Sequence, residues 1–386
     1  MKFFSAAFLF VALCYVFSAC RKDNPPAEPA TNQTIFIADS KGGLYAFNAQ
    51  TGATLWEKQI DHPVSEGFVV ANGLLYMPTL DQTIQTYEVQ TGNLKWEVKV
   101  DKANLSTNNI VLTNGILCIS GIDYLVGLDA TTGQKKWELT SLANDGMIYA
   151  QNGIIYIRSS AITAIEASTG TVKWRTTLKE FTESPFVIDH ESLYVFSYAS
   201  EPDPSSPFGF PKPYEQVTRL DLKTGNIKWS QRLAGTARTR LFASSPEHLF
   251  IRYRGSFEYR LISLAKEDGR LIWDIPEKPG FGWSSPFYSK SYLYMGAEDG
   301  GFYQMHEETG SFKKVFQSNE AFRTSPVIVN GMIYVGGRDQ RLYAVEEATG
   351  QVKWSVPVKN DLFIVSPVVL DTKGKAYHYA ESGMLD

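Results

Sequence analysis

The side chains able to ligate a metal, attack a carbon centre or move a proton are scattered through this chain rather than gathered. Its five histidines, His62, His190, His248, His306 and His378, stand dozens of residues apart, whereas zinc sites bring His and Cys together at short spacings. Of the three cysteines, Cys14 lies inside an apolar leader and Cys20 follows it. That leaves Cys118 without a disulfide partner and with the expected role of a packed thiol. No Gly-rich phosphate loop and no nucleophile elbow occurs in the sequence. Carboxylates are plentiful, but most recur in one repeated turn, where hydrogen bonds to the following backbone amides account for them. With 37 Lys+Arg against 41 Asp+Glu, the chain has no basic footprint for nucleic acid. No catalytic, cofactor-binding or metal-binding residue is assigned, and the chain is expected not to be an enzyme.

What remains are residues suited to recognition. Between Tyr198 and Gln216 the sequence is YASEPDPSSPFGFPKPYEQ, with prolines at 202, 204, 207, 211 and 213. Proline removes donors and fixes φ, so an extended loop is expected here rather than a longer strand pair. Phe208, Phe210 and Tyr214 on such a loop are candidate anchors for a partner. Trp283 and Arg323 each stand two residues before a Ser-Pro pair, and they form a second candidate contact set. A third is the arginine-rich stretch of Arg232, Arg238, Arg240, Arg252, Arg254 and Arg260. Arg252 and Arg254 share parity, hence one face of a strand, and guanidinium forks suit carboxylates.

The elements that must carry these residues are written in a repeat. Gly52, Gly92, Gly133, Gly170, Gly225, Gly269, Gly310 and Gly350 recur about 40 residues apart, the exception being the longer step from Gly170 to Gly225. Four residues after each glycine comes Trp56, Trp96, Trp137, Trp174, Trp229, Trp273 or Trp354; the seventh copy has Lys314 instead. A period near 40 signals a repeat architecture. Within one copy, Val327–Val329 meets Asn330-Gly331, a pair tolerant of positive φ and suited to a two-residue hairpin. Two further short apolar runs follow, then Thr349-Gly350 and a fourth run carrying the Trp. In repeat two, Leu94, Trp96, Val98 and Val100 alternate with Lys95, Glu97 and Lys99, the pattern of a half-buried strand. Four strands cannot bury both sheet faces alone. Eight such sheets stacked around a ring can, so an all-β, eight-bladed propeller of four-stranded antiparallel blades is expected.

The composite pattern Leu-Tyr-Ala-x-acid-x-x-Thr-Gly-x-x-x-Trp resembles the PQQ-like (quinoprotein alcohol dehydrogenase-like) propeller repeat, over about residues 33–380. Glu88, Asp129, Glu166, Asp221 and Glu346 fill the acidic slot, while Asn48, Ala265 and His306 depart from it. WD40 repeats have a similar period, but their Trp-Asp pair precedes the turn and here the Trp follows the Gly. Enzymes that share the PQQ-like fold hold a quinone at the ring centre beside a neighbouring-cysteine disulfide and a calcium ion. This chain has no Cys-Cys pair and lacks long excursions between blades, so no cofactor is expected. With eight copies behind a leader, the chain is similar to the propeller lipoproteins of the machinery that assembles outer-membrane β-barrels. That resemblance implies envelope proteins, including the assembly machinery, as partners. Inner-strand openings in such propellers face one mouth of a central channel, so Trp283 and Arg323 are expected to line a funnel.

Residues 1–19 are expected to be a signal peptide, too short in its apolar run for a span of about 20 residues. Phe17-Ser18-Ala19-Cys20 resembles a lipobox, which makes Cys20 the expected lipidation site. Residues 20–33 then form a Pro-rich tether, and residues 34–386 the propeller. Lipid on Cys20 implies the bacterial outer membrane, with the periplasmic face and the cell surface both open. Ring closure is expected to use strands from both termini: Ser366–Leu370 supplies a first strand, and Lys375–Ala380 competes with Thr34–Asp39 to be the second. The leading functional expectation is a non-catalytic scaffold for protein–protein interaction. The alternatives are small-ligand or glycan binding in the funnel by stacking on Trp283, and quinone-dependent dehydrogenation.

Overall fold

The computed structural model describes residues 33–378 apart from 40, 63, 65–66, 101–109, 122, 141, 143, 160, 179–185, 190, 207–209, 234–240, 255–257, 278–279, 282–284, 323 and 359–365. The candidate residues Cys20, Phe208, Trp283 and Arg323 therefore lie outside the described residues, as does the side chain of Arg254.

The described chain is all-β and forms an eight-bladed propeller. Seven blades are four-stranded antiparallel sheets occupying residues 69–99, 110–140, 144–177, 186–233, 241–276, 287–317 and 327–357, numbered here 2 to 8. Asn72, Asn114, Asn152 and Asn330 adopt φ of 52, 47, 51 and 51°, each followed by a Gly of positive φ. These are the mirror-image hairpin turns that Asn-Gly favours. First-to-second-strand turns and third-to-outer-strand turns share one face of the ring. The second-to-third-strand turns lie on the other.

Blade 1 closes the ring. Its outer three strands are Thr54–Gln59, Gly43–Asn48 and Thr34–Ala38, and its first strand is Val368–Leu370 from the other end of the chain. The competition for second strand goes to the N-terminal run. Ile35, Phe36, Ile37 and Ala38 are completely buried, a larger apolar gain than the C-terminal run offers. The surplus run is not discarded: Ala376–Tyr377 adds as a fifth strand on the inner edge of Val368–Leu370, pairing Val369 with Tyr377 and Leu370 with Ala376. The hairpins at 39–45 and 371–377 use the same device. Asp39 accepts from the Lys41 and Gly43 amides and the Tyr45 hydroxyl, and Asp371 accepts from the Lys373 and Lys375 amides and the Tyr377 hydroxyl.

The repeated Gly and Trp are linked between blades, not within one. A Cβ on Gly92 would meet the Trp56 ring at 2.8 Å, one on Gly269 the Trp229 ring at 2.8 Å, and one on Gly52 the Trp354 ring at 2.9 Å. Each of these glycines also has positive φ, so neither space nor backbone admits a side chain. The same indoles donate Nε1–H to the next blade: Trp56 to the Val89 carbonyl at 2.9 Å, Trp137 to Ala167 at 2.7 Å, Trp273 to Glu307 at 2.8 Å, and Trp354 across the closure to Ala49 at 3.1 Å. The tryptophans are half-buried rather than fully enclosed. Leu94, expected on the buried face, is also corrected: it is half-exposed at the start of its strand, and burial rises along the strand to Val100. Where blade 7 has Lys314 in place of Trp, Phe302, Phe316, Phe322 and Tyr343 form an aromatic cluster with centroids 5.2 to 6.0 Å apart.

Candidate functional site

In most blades the second and third strands share five or six paired residues; in blade 5 the ladder runs ten pairs, from Ser192 opposite Asp221 to Glu201 opposite Lys212. The proline-rich stretch is therefore carried on a lengthened hairpin: the second and third strands pair as far as Glu201 and Lys212, and residues 202–211, with four of the five prolines, connect them. Pro213 is tolerated because the outer strand of the blade ends opposite Glu215. Beyond that point, among the described residues, the third strand has a ladder neighbour on one side only, where a missing N–H disrupts least. The hairpin leaves the face that carries second-to-third-strand turns. Gln33, whose carbonyl accepts the Ala49 amide at 3.0 Å, lies at the opposite face.

The hairpin is braced by charge and by its own tip. Arg232 reaches Glu201 at 2.8 Å and lies over the Tyr214 ring at 3.9 Å. Tyr214 thus serves as a stacking platform as well as a candidate contact. At the tip, Asp203 accepts from the Ser205 amide at 2.9 Å and its hydroxyl at 2.6 Å, and these bonds hold its carboxyl below the usual range. The Ser206 hydroxyl accepts the Phe210 amide at 2.9 Å. Phe210 is 68% exposed, more than any other large hydrophobic side chain described.

The neighbouring blade 6 carries the second-longest ladder, His248–Arg254 against Tyr259–Ala265. Arg252 and Arg260 are engaged. Arg252 Nη2 donates to Glu277 Oε1 at 3.0 Å, and its guanidinium lies 4.1 Å from the centre of the Tyr259 ring. Glu277 has no exposed side-chain surface and also accepts the Phe281 amide. Arg260 donates to Asp274 at 2.6 Å, and Tyr253 donates to the other Asp274 oxygen at 3.0 Å. Burial, then Asp274, pushes the Tyr253 hydroxyl up to about 12. Three arginines of the stretch read in sequence as a basic patch, Arg232, Arg252 and Arg260, are thus paired with acids at positions 201, 277 and 274, while Arg238 and Arg240 lie outside the described residues.

Other candidates resolve as structure. Cys118 is fully buried, and burial pushes its thiol up. His306 is half-buried against Tyr292, and its Nδ1 accepts the Glu308 amide at 3.2 Å, taking over the acidic slot's task in that turn. At the inner-strand openings, the Ser285 amide donates to the Ser325 hydroxyl and the Ser325 amide to the Ser366 hydroxyl, both at 2.9 Å, linking blades 7, 8 and 1. No group of three or more His, Cys, Asp or Glu able to hold a metal occurs among the described residues. Cys118 is the sole described cysteine.

One polar feature escaped the sequence reading. The residue after the third strand is apolar in blades 1 to 5 but is Lys266, Glu307 and Glu347 in blades 6, 7 and 8, all buried. Lys266 pairs with Asp189 at 2.9 Å and Glu347 with Lys290 at 2.8 Å. His248 Nδ1 stops 3.8 Å from Glu307 Oε2. The signal was legible: wherever the preceding turn is Asn-Gly, at 72–73, 114–115, 152–153 and 330–331, the facing residue is apolar, and in these three junctions the turn is not Asn-Gly.

The family model described as "Outer membrane protein assembly factor BamB" matches residues 21–147, 121–251 and 258–382. Outer membrane protein assembly factor BamB of Yersinia pestis is 19% identical over 330 residues, 77% of this chain and 78% of that protein. The match to its counterpart from Nitrosomonas eutropha, 24% identical over 176 residues, spans 42% of each chain. Among solved structures, BamB from Moraxella catarrhalis superposes with a TM-score of 0.61 at 16% identity, covering 85% of this chain and 92% of that one. The quinohemoprotein alcohol dehydrogenase of Comamonas testosteroni does so with a TM-score of 0.59 at 14% identity, covering 89% and 73%. At such identities the superpositions speak for the fold alone.

Proposed function

This chain belongs to the family of outer membrane protein assembly factor BamB, and on that footing we propose that it is a non-catalytic, lipid-anchored scaffold of the bacterial envelope. Its partners are envelope proteins, specifically the machinery that assembles outer-membrane β-barrels. Cys20 is the lipidated residue, and residues 21–33 are the tether. The observation that carries the reading is the hairpin itself. It is the largest break in an otherwise regular ring, it is internally braced, and it ends in an exposed aromatic. The shared membrane raises the effective concentration of weakly held partners.

The test is crosslinking in the native cell, followed by recovery through a C-terminal tag and mass spectrometry. The barrel-assembly machinery is expected among the products from the intact chain. A variant in which residues 200–213 are replaced by a two-residue turn is expected to lose it while melting like the parent. Unchanged recovery by that variant removes the hairpin as the contact, and absence of the machinery from the intact chain removes the assembly role.

A further inference from the structure

The four Asn-Gly turns, at 72–73, 114–115, 152–153 and 330–331, are alike in sequence and backbone. They are also places where a side-chain amide meets the least hindered backbone nitrogen, because Gly has no Cβ to shield it. That nitrogen can attack the Asn Cγ, and Asn counts among the heat-labile residues for such reasons. The N–Cγ bond forms, the Cγ–Nδ2 bond breaks, and ammonia leaves. Water then opens the resulting succinimide at either carbonyl. The product is Asp, or isoaspartate with one more methylene in its backbone. Water is the only co-reactant, and nothing is oxidised or reduced.

The surroundings separate the four. Attack requires the Gly nitrogen to lose its proton, and a hydrogen bond that holds the proton opposes the loss. Gly153 is buried, and its amide donates to Thr113 Oγ1 of the preceding blade at 2.8 Å. The Asn114 carboxamide lies over the same glycine, where a Cβ on residue 153 would collide with its Nδ2. The turns of blades 3 and 4 thus brace each other: Thr113 holds one nitrogen, and the Asn114 side chain is packed on Gly153 instead of lying free beside Gly115. No such contact occurs at the other two turns. Asn72 and Asn330 are exposed, and a Cβ on Gly73 or Gly331 would meet nothing within 4 Å. The cause is local, since the residues ahead of the four turns are Ala71, Thr113, Gln151 and Val329, and only Thr113 has a hydroxyl. Ser289, which holds the place of Thr113 ahead of blade 8, donates to Glu347 Oε1 at 3.0 Å instead.

We propose that Asn72 and Asn330 are sites of spontaneous deamidation in the folded protein, and that Asn114 and Asn152 are shielded from it. At Asn72 the change reaches a seam of the ring. The Gly73 carbonyl accepts the Val89 amide at 3.1 Å, and the Val89 carbonyl accepts the Trp56 indole of the preceding blade at 2.9 Å. Isoaspartate lengthens a turn whose two-residue geometry sets the register of both strands. Val89 is drawn out of place with it, and the contact between blades 1 and 2 loosens. At Asn330 the corresponding bond runs from the Glu347 amide to the Gly331 carbonyl, at 2.8 Å.

The test holds the mature chain in mildly alkaline buffer, samples it over time, and maps the four sites by digestion and mass spectrometry. Isoaspartate is counted by enzymatic methylation of its free carboxylate. A parallel sample in guanidinium chloride gives the rates without structure, and there all four sites are expected to convert at comparable speed. In the folded chain Asn72 and Asn330 are expected to convert at least about tenfold faster than Asn152, with Asn114 also behind them. Thr113→Val, which keeps the side-chain shape and removes the acceptor, is expected to quicken Asn152 and leave Asn72 unchanged. The chain converted at Asn72, separated by its added charge, is expected to melt below the parent. Three results overturn the proposal: Asn152 converting in step with Asn72, an unchanged Asn152 rate in T113V, or intact Asn72 and Asn330 once the unfolded sample has converted. Equal melting of the converted chain overturns the link to the seam. The ranking within the parent protein decides the matter even if the variant misfolds.

Discussion

At the junction of blades 3 and 4 the buried residue after the third strand is Ala167; at the junction of blades 6 and 7 it is Glu307. In both places a Trp from the preceding blade donates to that residue's carbonyl, at 2.7 and 2.8 Å. The backbone geometry is the same and the side-chain chemistry is opposite. Where the preceding turn is Asn-Gly, it carries no charged side chain, and the junction is apolar. Where the turn offers Asp189, His248 or Ser289 and Lys290, the facing residue is Lys266, Glu307 or Glu347. A buried charge is costly unless paired, so turn and facing residue change together. The repeat tolerates either solution because its specificity lies in the Gly, the Trp and the carbonyl.

The largest expected effect breaks one polar junction. Lys266→Ala leaves Asp189 without its partner in a site where both side chains are mostly buried. A loss of about 3–5 kcal/mol is expected in urea unfolding. Converting the junction to the other kind, with Lys266→Leu and Asp189→Asn together, is expected to recover most of it. If the double variant is as unstable as the single one, the two kinds of junction are not interchangeable.

Next comes the shared device. Trp137→Ala is expected to cost about 3 kcal/mol, the lower end of the range for large core truncations because the indole is half-buried. Trp96 occupies the same position, but its buried Nε1 has no hydrogen-bond partner in the structure. Its truncation should cost less by about 1 kcal/mol, the net worth of one hydrogen bond. Equal losses would show that ring packing alone holds the junctions and that the carbonyl contact is incidental.

The smallest effect concerns the acidic turn slot. Asp221 accepts from the Thr224 hydroxyl at 2.8 Å and lies 3.2 Å from Lys228. Those contacts, the Thr224 hydroxyl foremost, lower its carboxyl to about 2. Asp129 and Glu346 are lowered by the same kind of contacts. A folded pKa below the unfolded one means stability that is present above about pH 4 and lost as pH falls through about 2. The melting temperature is therefore expected to fall over that window. Asp221→Asn is expected to shrink the fall slightly, whereas blade 6, with Ala265 in the slot, has nothing there to lose.

Much of the architecture was legible because it is written in short-range chemistry. Asn330-Gly331 and its equivalents fix hairpins through φ, and the Gly-to-Trp spacing fixes the blade count. The candidate contacts were less legible. Prolines between 202 and 213 suggested a loop, because a sequence does not show that the ladder of blade 5 runs on to Glu201 and Lys212 and takes in Pro213. Arg232, Arg252 and Arg260 looked like a basic face because their acids stand at Glu201, Glu277 and Asp274, which only pairing between strands brings near. Leu94 looked buried because alternation gives the face of a strand but not how far along it the neighbouring blade reaches.

The sequence alone determined the family, the number of blades, their order and the chemistry of nearly every turn. All of these depend on residues a few positions apart, repeated at a constant interval. Tertiary structure decided that seven of the eight repeat glycines serve the Trp of the blade before them while Gly350 packs on Val315, that the N-terminal strand displaces the C-terminal one, and that three junctions hold buried charge. Those outcomes turn on which residues exclude water from one another across separations as long as that between Gly52 and Trp354. Burial and pairing set their energies, and neither is a property of any single stretch of chain.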